Sequence, residues 1–180
     1  MLFSVIGHYS LILGLFIGLI LIFFSIKNFR NSVYLDTKIL SFTFLQFILV
    51  VISFLCLVLS FIFSDFSNET VFNNSHTTKP LFYKISGTWG NHEGSLLLWL
   101  LVLTLFIFLF LIKTKNQPTK YKILTLVFQQ IIIIGFFVFL IKTSNPFNYL
   151  YPIPEEGLGL NPILQDPALA IHPPILYLGY

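Results

Sequence analysis

Four apolar runs alternate with polar connections along this sequence: about Tyr9 to Ile26, Ile39 to Phe63, Ser95 to Ile112 and Ile123 to Ile141. A helix that crosses a bilayer needs roughly 20 predominantly apolar residues, so the pattern predicts about four transmembrane helices. The fold class is then an all-α integral membrane protein, organised as a single membrane module over residues 1–180. No Lys or Arg precedes the first run. The basic leader region of a cleaved signal peptide is absent, and the run is expected to stay as a helix. Polar positions inside the runs are few. Gln129 and Gln130 on the fourth predict hydrogen bonding between helices, and Gly14, Gly18 and Gly135 predict close helix approach. None of the runs holds a His or a charge at mid-depth, where proton relays and ion pathways usually place one. A pump or carrier is disfavoured.

Composition agrees with the pattern. Of the 180 residues 56% are hydrophobic and only 9% charged, with a mean hydropathy of +0.88; a soluble domain carries about a quarter charged residues. Cys56 is the single cysteine, so no internal disulfide forms, and without a Cys-x-x-Cys-His the chain is not itself a c-type cytochrome. A bias to Phe, Ile, Leu, Asn and Lys resembles AT-rich organellar coding.

The placement of charge says more than its sum. The first and third connections hold Lys27, Arg30, Lys38, Lys113, Lys115, Lys120 and Lys122, opposed only by Asp36. The other side holds Lys79, Lys84 and Lys142 against Asp65, Glu69, Glu93, Glu155, Glu156 and Asp166. Short loops rich in Lys and Arg stay on the cytoplasmic or matrix side. Both termini and the longer loops, 64–94 and 142–172, are therefore expected on the trans face. His8, His76, His92 and His172 all fall at or beyond it.

The second loop ends in a polar, glycine-rich knot, Gly87-Thr88-Trp89-Gly90-Asn91-His92-Glu93-Gly94-Ser95, at the mouth of the third run. A Trp there can serve as an interfacial anchor, and Gly90 and Gly94 can permit tight turns; the alternative is that Trp89, His92 and Glu93 carry chemistry. His92-Glu93 lacks the second His of a zinc-protease helix, so zinc is a weak reading. Earlier in the loop, Asn68-Glu69-Thr70 and Asn73-Asn74-Ser75 fit glycosylation sequons. In the fourth loop, Asn161-Pro162 and Asp166-Pro167 each set a capping side chain before a proline at a first helical position, predicting two short turns at the membrane surface. His172-Pro173-Pro174 then predicts an extended His172 at the mouth of a fifth helix that begins at the prolines. Either its stiffly held imidazole is a metal ligand, or this is a proline-capped helix start with an interfacial His. The sequence gives that helix six residues after Pro174, too few to cross a membrane; a longer polypeptide or a separate chain is expected to complete it.

Four stretches together resemble the N-terminal part of CcmF, the haem lyase subunit of cytochrome c maturation, in the same order and spacing. They are Gly87-Thr88-Trp89-Gly90-Asn91-His92-Glu93-Gly94-Ser95-Leu96-Leu97-Leu98-Trp99, Thr143-Ser144-Asn145-Pro146-Phe147, Leu160-Asn161-Pro162-Ile163-Leu164-Gln165-Asp166-Pro167 and His172-Pro173-Pro174-Ile175-Leu176-Tyr177-Leu178-Gly179-Tyr180. The resemblance implies help in attaching haem (b-type, in transit) to the thiols of apocytochrome c. Implied partners are the CcmE haem carrier, a CcmH-type protein, lipid and the remaining CcmF chains with their tryptophan-rich WWD segment; no nucleic acid is implied. His172 matches one of the family's haem-binding histidines, an axial iron ligand supported by Pro173, Pro174 and Tyr177. Trp89, Gly90, His92, Glu93, Gly94 and Ser95 would then form a haem or haem-carrier interaction loop. The WWD segment, the second trans-side His and the histidines of a membrane haem are absent from this sequence. A split or truncated CcmF of the mitochondrial inner membrane is thus expected, the bacterial inner membrane being the alternative, and the chain alone is not expected to be an active enzyme. Three other readings stand beside it: a non-catalytic docking module of the same complex, a paralogue of the NrfE type, or an unrelated respiratory-complex membrane subunit, against which the motif match argues.

Overall fold

The computed structural model describes residues 1–31, 37–114 and 116–179, without the side chains of Arg30 and Asn31. The charge assignments at Arg30, Asp36 and Lys115 and the motif end at Tyr180 lie outside the described residues. Four long helices, α1 (Leu2–Asn31), α2 (Thr37–Ile62), α5 (His92–Lys113) and α6 (Thr119–Lys142), correspond to the four apolar runs. They contain 30, 26, 22 and 24 residues. At about 1.5 Å per residue each exceeds a hydrocarbon core of roughly 30 Å, and all four are apolar enough to cross a membrane. Two short helices, α3 (Glu69–Asn74) and α4 (Leu81–Gly87), lie in the second loop; a 3₁₀ turn (Pro162–Gln165) and α7 (Pro167–Gly179) complete the order.

Three of the helices run past the apolar stretches at both ends, because backbone amides keep pairing until a cap intervenes. α5 begins at His92 because the Asn91 side chain accepts from Gly94 N; α6 begins after Pro118. The start of α1 at Leu2 brings His8 inside a helix, near its end, where the apolar run alone had left it outside.

The helices pack as a ring, α1 on α2 and α6, and α5 on α2 and α6. Antiparallel connections collect the first residues of α1 and α5 and the last of α2 and α6 at one end, with both longer loops over it. Glycines let α1 approach its neighbours. A Cβ on Gly7 would stand 2.3 Å from the Phe147 ring, on Gly14 2.7 Å from Phe137, and on Gly18 2.8 Å from Gln46 Nε2. Gly135 does not follow the expectation: no atom lies within 4 Å of its Cβ position, because it faces out. It lines an open apolar hollow with Leu96, Ile132, Phe136 and Phe139. Gln130, fully buried, donates to Gln46 Oε1 at 2.8 Å, and Gln46 donates to the Gly14 carbonyl at 3.2 Å. This amide relay ties α6, α2 and α1 together.

Candidate functional site at the loop end of the bundle

The two long loops hold each other through main-chain bonds. Glu69 N donates to Asn148 O (2.9 Å), Leu150 N to Ser67 O (3.0 Å), Leu158 N to Phe72 O (2.8 Å) and Gly159 N to Ser75 O (3.0 Å). Asn68 sits where they meet, fully buried. Its Oδ1 accepts from Val71 N, capping α3, while Nδ2 donates to Ser4 Oγ and to the Pro146 carbonyl. The first sequon asparagine is therefore inaccessible to a glycan, whereas Asn73 is exposed. At the outer edge the Glu156 carboxylate accepts from the hydroxyl and amide of Thr77 and the amide of Gly157. The Thr77 hydroxyl first, and then its amide, hold this carboxyl below its usual range.

Thr143-Ser144-Asn145-Pro146-Phe147 reads, residue by residue, as a fastening. Ser144 Oγ lies 3.1 Å from His92 Nδ1 and Asn145 Nδ2 lies 3.3 Å from His8 Nδ1. The Pro146 carbonyl meets Asn68, and Phe147, 2% exposed, fills the space over Gly7. Two of the loop-end histidines are thus fixed by one short segment.

The polar knot closes on itself. Asn91 Nδ2 donates to the Gly87 carbonyl at 2.7 Å while its Oδ1 accepts from Gly94 N at 2.7 Å, so one side chain ends α4 and starts α5. Ser95 Oγ donates to the Trp89 carbonyl at 2.6 Å. The glycines act by close approach rather than by turn conformation, and neither Gly90 nor Gly94 has a positive φ. A Cβ on Gly94 would lie 1.5 Å from the Thr88 carbonyl oxygen, and one on Gly90 3.1 Å from Leu164 Cδ1. His92 is exposed, its ring edge-on to Phe139 with centroids 6.0 Å apart. Glu93 stands in the first turn of α5, where the helix dipole favours a negative charge.

At the far side both predicted caps are present: Asn161 Oδ1 accepts from Ile163 N, and Asp166 Oδ1 from Ala168 N and Leu169 N. The expected geometry of His172 is not. α7 begins at Pro167 and continues through Pro173 and Pro174, so His172 lies inside a helix and not in an extended lead-in. The Asp166 cap nucleates the helix five residues before His172, and tertiary contacts carry it over the prolines. Pro174 cannot donate to the Ala170 carbonyl, and the Trp89 indole N–H takes that acceptor at 2.7 Å. Further along, Tyr177 stacks on Trp99 at 5.7 Å and 13°, and Trp99 stands edge-on to Phe136. The contacts 89 to 170 and 99 to 177 occur in the same order, so α7 descends parallel to α5. His172 itself is exposed, and its ring makes no hydrogen bond among the described residues. Among those residues no three His, Cys, Asp or Glu gather to hold a metal ion.

The structure therefore joins the knot to the His-Pro-Pro helix. The signal lay in the sequence: a proline at 174 frees the carbonyl four residues earlier, but nothing local names the donor. Residues 89–180, which contain this junction, match the family described as cytochrome C assembly protein. The chain belongs to that family. It is 44% identical over 178 residues to the cytochrome c-type biogenesis protein CycK of Rhizobium meliloti, covering 97% of this chain and 26% of the relative. It is 38% identical to CcmF of Haemophilus influenzae, covering 97% and 27%, and 40% identical to NrfE of that organism, covering 69% and 20%. A solved structure of the cytochrome c haem lyase CcmF superposes with a TM-score of 0.80 at 25% identity, over 98% of this chain and 28% of that one. These relatives are bacterial, and the chain spans about a quarter of the length of the curated relatives it matches.

Proposed function

We propose that this cytochrome c assembly module serves haem attachment to apocytochrome c, presenting His172 as an axial ligand to haem in transit. The observation that carries the reading is an exposed imidazole, without a hydrogen bond among the described residues, on a helix fastened at two points. Its surroundings suit the cargo: Leu169, Ile175 and Leu176, three before and three and four after His172, are exposed apolar side chains at 45%, 64% and 38%. Residues so spaced share a helix face, a surface on which an apolar macrocycle can rest. His172 would hold the haem iron from this chain, and its exposed apolar neighbours would rest against the macrocycle. Haem supplies the iron and the vinyl groups; this chain binds and orients. His92 and Glu93, on the knot's outer side, would meet the CcmE carrier, with Trp89, Gly90, Gly94 and Ser95 shaping that surface. A CcmH-type protein would bring the apocytochrome.

The face is the trans side, on the strength of the charge asymmetry. The membrane is an inner membrane: composition points to the mitochondrial one, and the bacterial relatives favour the alternative, a bacterial inner membrane. A docking role without haem contact has its own support, since Trp89, Gly94 and Ser95 are all engaged in holding the loop. The deciding experiment is a haem spectrum of the complex purified with its partners, with His172→Ala beside wild type. Loss of the His172-dependent band and of cytochrome c yield is expected. An unchanged spectrum and yield would leave only docking.

A further inference from the structure

An α-helix interrupted by two prolines this close to its start needs an outside donor to stay regular. Pro173 and Pro174 have no N–H, so the Leu169 and Ala170 carbonyls lose their intrahelical partners. Ala170 is 3% exposed, and a buried carbonyl left without a donor is costly. The Trp89 indole N–H fills that place at 2.7 Å. Trp89 is itself held, its carbonyl bound by Ser95 Oγ and its amide donating to Ser86 O at 3.2 Å. The Tyr177–Trp99 stack fixes α7 further along. Together these contacts set how α7 is rotated against α5. A slip of one residue would swing every side chain by about 100° and carry the His172 imidazole to another face.

We infer that Trp89 is a positioning residue for His172: its indole supplies the hydrogen bond that Pro174 withholds from Ala170 and so fixes the direction of the imidazole. This rests on the reading of His172 as a haem ligand. The test uses the full chain in lipid nanodiscs, as wild type, Trp89→Phe, Pro174→Ala, the double variant and His172→Ala. Amide hydrogen exchange in α7 needs no haem. Trp89→Phe keeps an aromatic ring but removes the N–H, and is expected to speed that exchange roughly tenfold. In the Pro174→Ala background, where residue 174 regains an N–H for Ala170, the same change is expected to have an effect of less than about threefold. An equal effect in both backgrounds overturns the latch.

Ferric haem titrated into the same variants, each purified in complex with its partner chains, gives the second measurement, the Soret maximum and the midpoint potential. A His172-dependent band that shifts in Trp89→Phe, and returns in the double variant, is expected. A band identical in Trp89→Phe and wild type overturns the positioning role. A band untouched by His172→Ala, or none in wild type, overturns the ligand assignment instead, while the exchange cycle still decides whether Trp89 and Pro174 are coupled.

Discussion

At the scale of single residues, two glycines of the same helical pair answer to opposite physics. Gly94 lies in the first turn of α5 with the Thr88 carbonyl 1.5 Å from where a Cβ would stand. Main chain cannot yield as a flexible side chain can, so Gly94→Ala must push α5 away from the end of α4. A loss of about 3 kcal/mol or more is expected, at the upper end for overpacked sites. Gly135 is in the interior of α6 with no atom within 4 Å of its Cβ position, and Gly135→Ala should gain about 0.5–1 kcal/mol from reduced backbone freedom. Unfolding in mixed micelles measures both, and equal signs would refute the contrast. Glu156 makes a third residue-scale case. Its folded pKa is depressed by the Thr77 and Gly157 donors, so the loop fastening is present above the unfolded value near 4.5 and is lost as pH falls through the lower folded value. Protection of the Thr77 amide, its exchange taken relative to a free amide at the same pH, should therefore fall in acid below about pH 4.5, and Glu156→Gln should flatten that dependence.

Elements show where the sequence was readable. The four spans followed from run length alone, since a lipid-facing helix must be apolar over most of its surface. α3 and α4 were not legible: helices of 6 and 7 residues carry too little periodicity to stand out within a polar loop. The caps at Asn161 and Asp166 were legible because they act locally. The course of α7 was not, since the local rule for a residue before proline was overruled by contacts such as that of Trp89 with Ala170, 81 positions apart. The site divides the same way. His172 was singled out by its motif alone, but its exposure, its helical setting and its tie to the knot are tertiary facts. Gln46 was missed altogether, although an amide within an apolar run needs a partner as much as Gln130 does. Gln130→Leu would leave Gln46 Oε1 buried without its donor, and a cost of about 1–2 kcal/mol is expected. Gln46→Leu combined with it should cost less than the two single changes added together. Strict additivity in a double-mutant cycle would mean that the relay contributes packing and no hydrogen bond.

For the whole molecule, sidedness decides whether the loop end can play the part proposed for it. The fold gathers the start of α1, the knot, His172 and both long loops at one end, and leaves the last residues of α1 and α5 and the first of α2 and α6 at the other. Seven of the ten Lys and Arg residues belong to that second end by sequence, and such residues resist translocation. The two ends should accordingly face different compartments, with the histidines on the trans side. Thr78 and Gln117, one in each region, are both exposed, and the native Cys56 is buried within α2 and should stay silent. In sealed right-side-out vesicles, an impermeant maleimide should label Thr78→Cys at once and Gln117→Cys only after permeabilisation. The reverse order would place His172 on the cytoplasmic or matrix side, where a trans-face haem partner could not reach it. Charge reversal offers an independent check: replacing Lys113, Lys120 and Lys122 with Gln should weaken the preference and yield a mixed population of Thr78→Cys labelling. If the labelling stays uniform, orientation is fixed by the tightly fastened loops instead, which would have to cross the membrane as a folded unit.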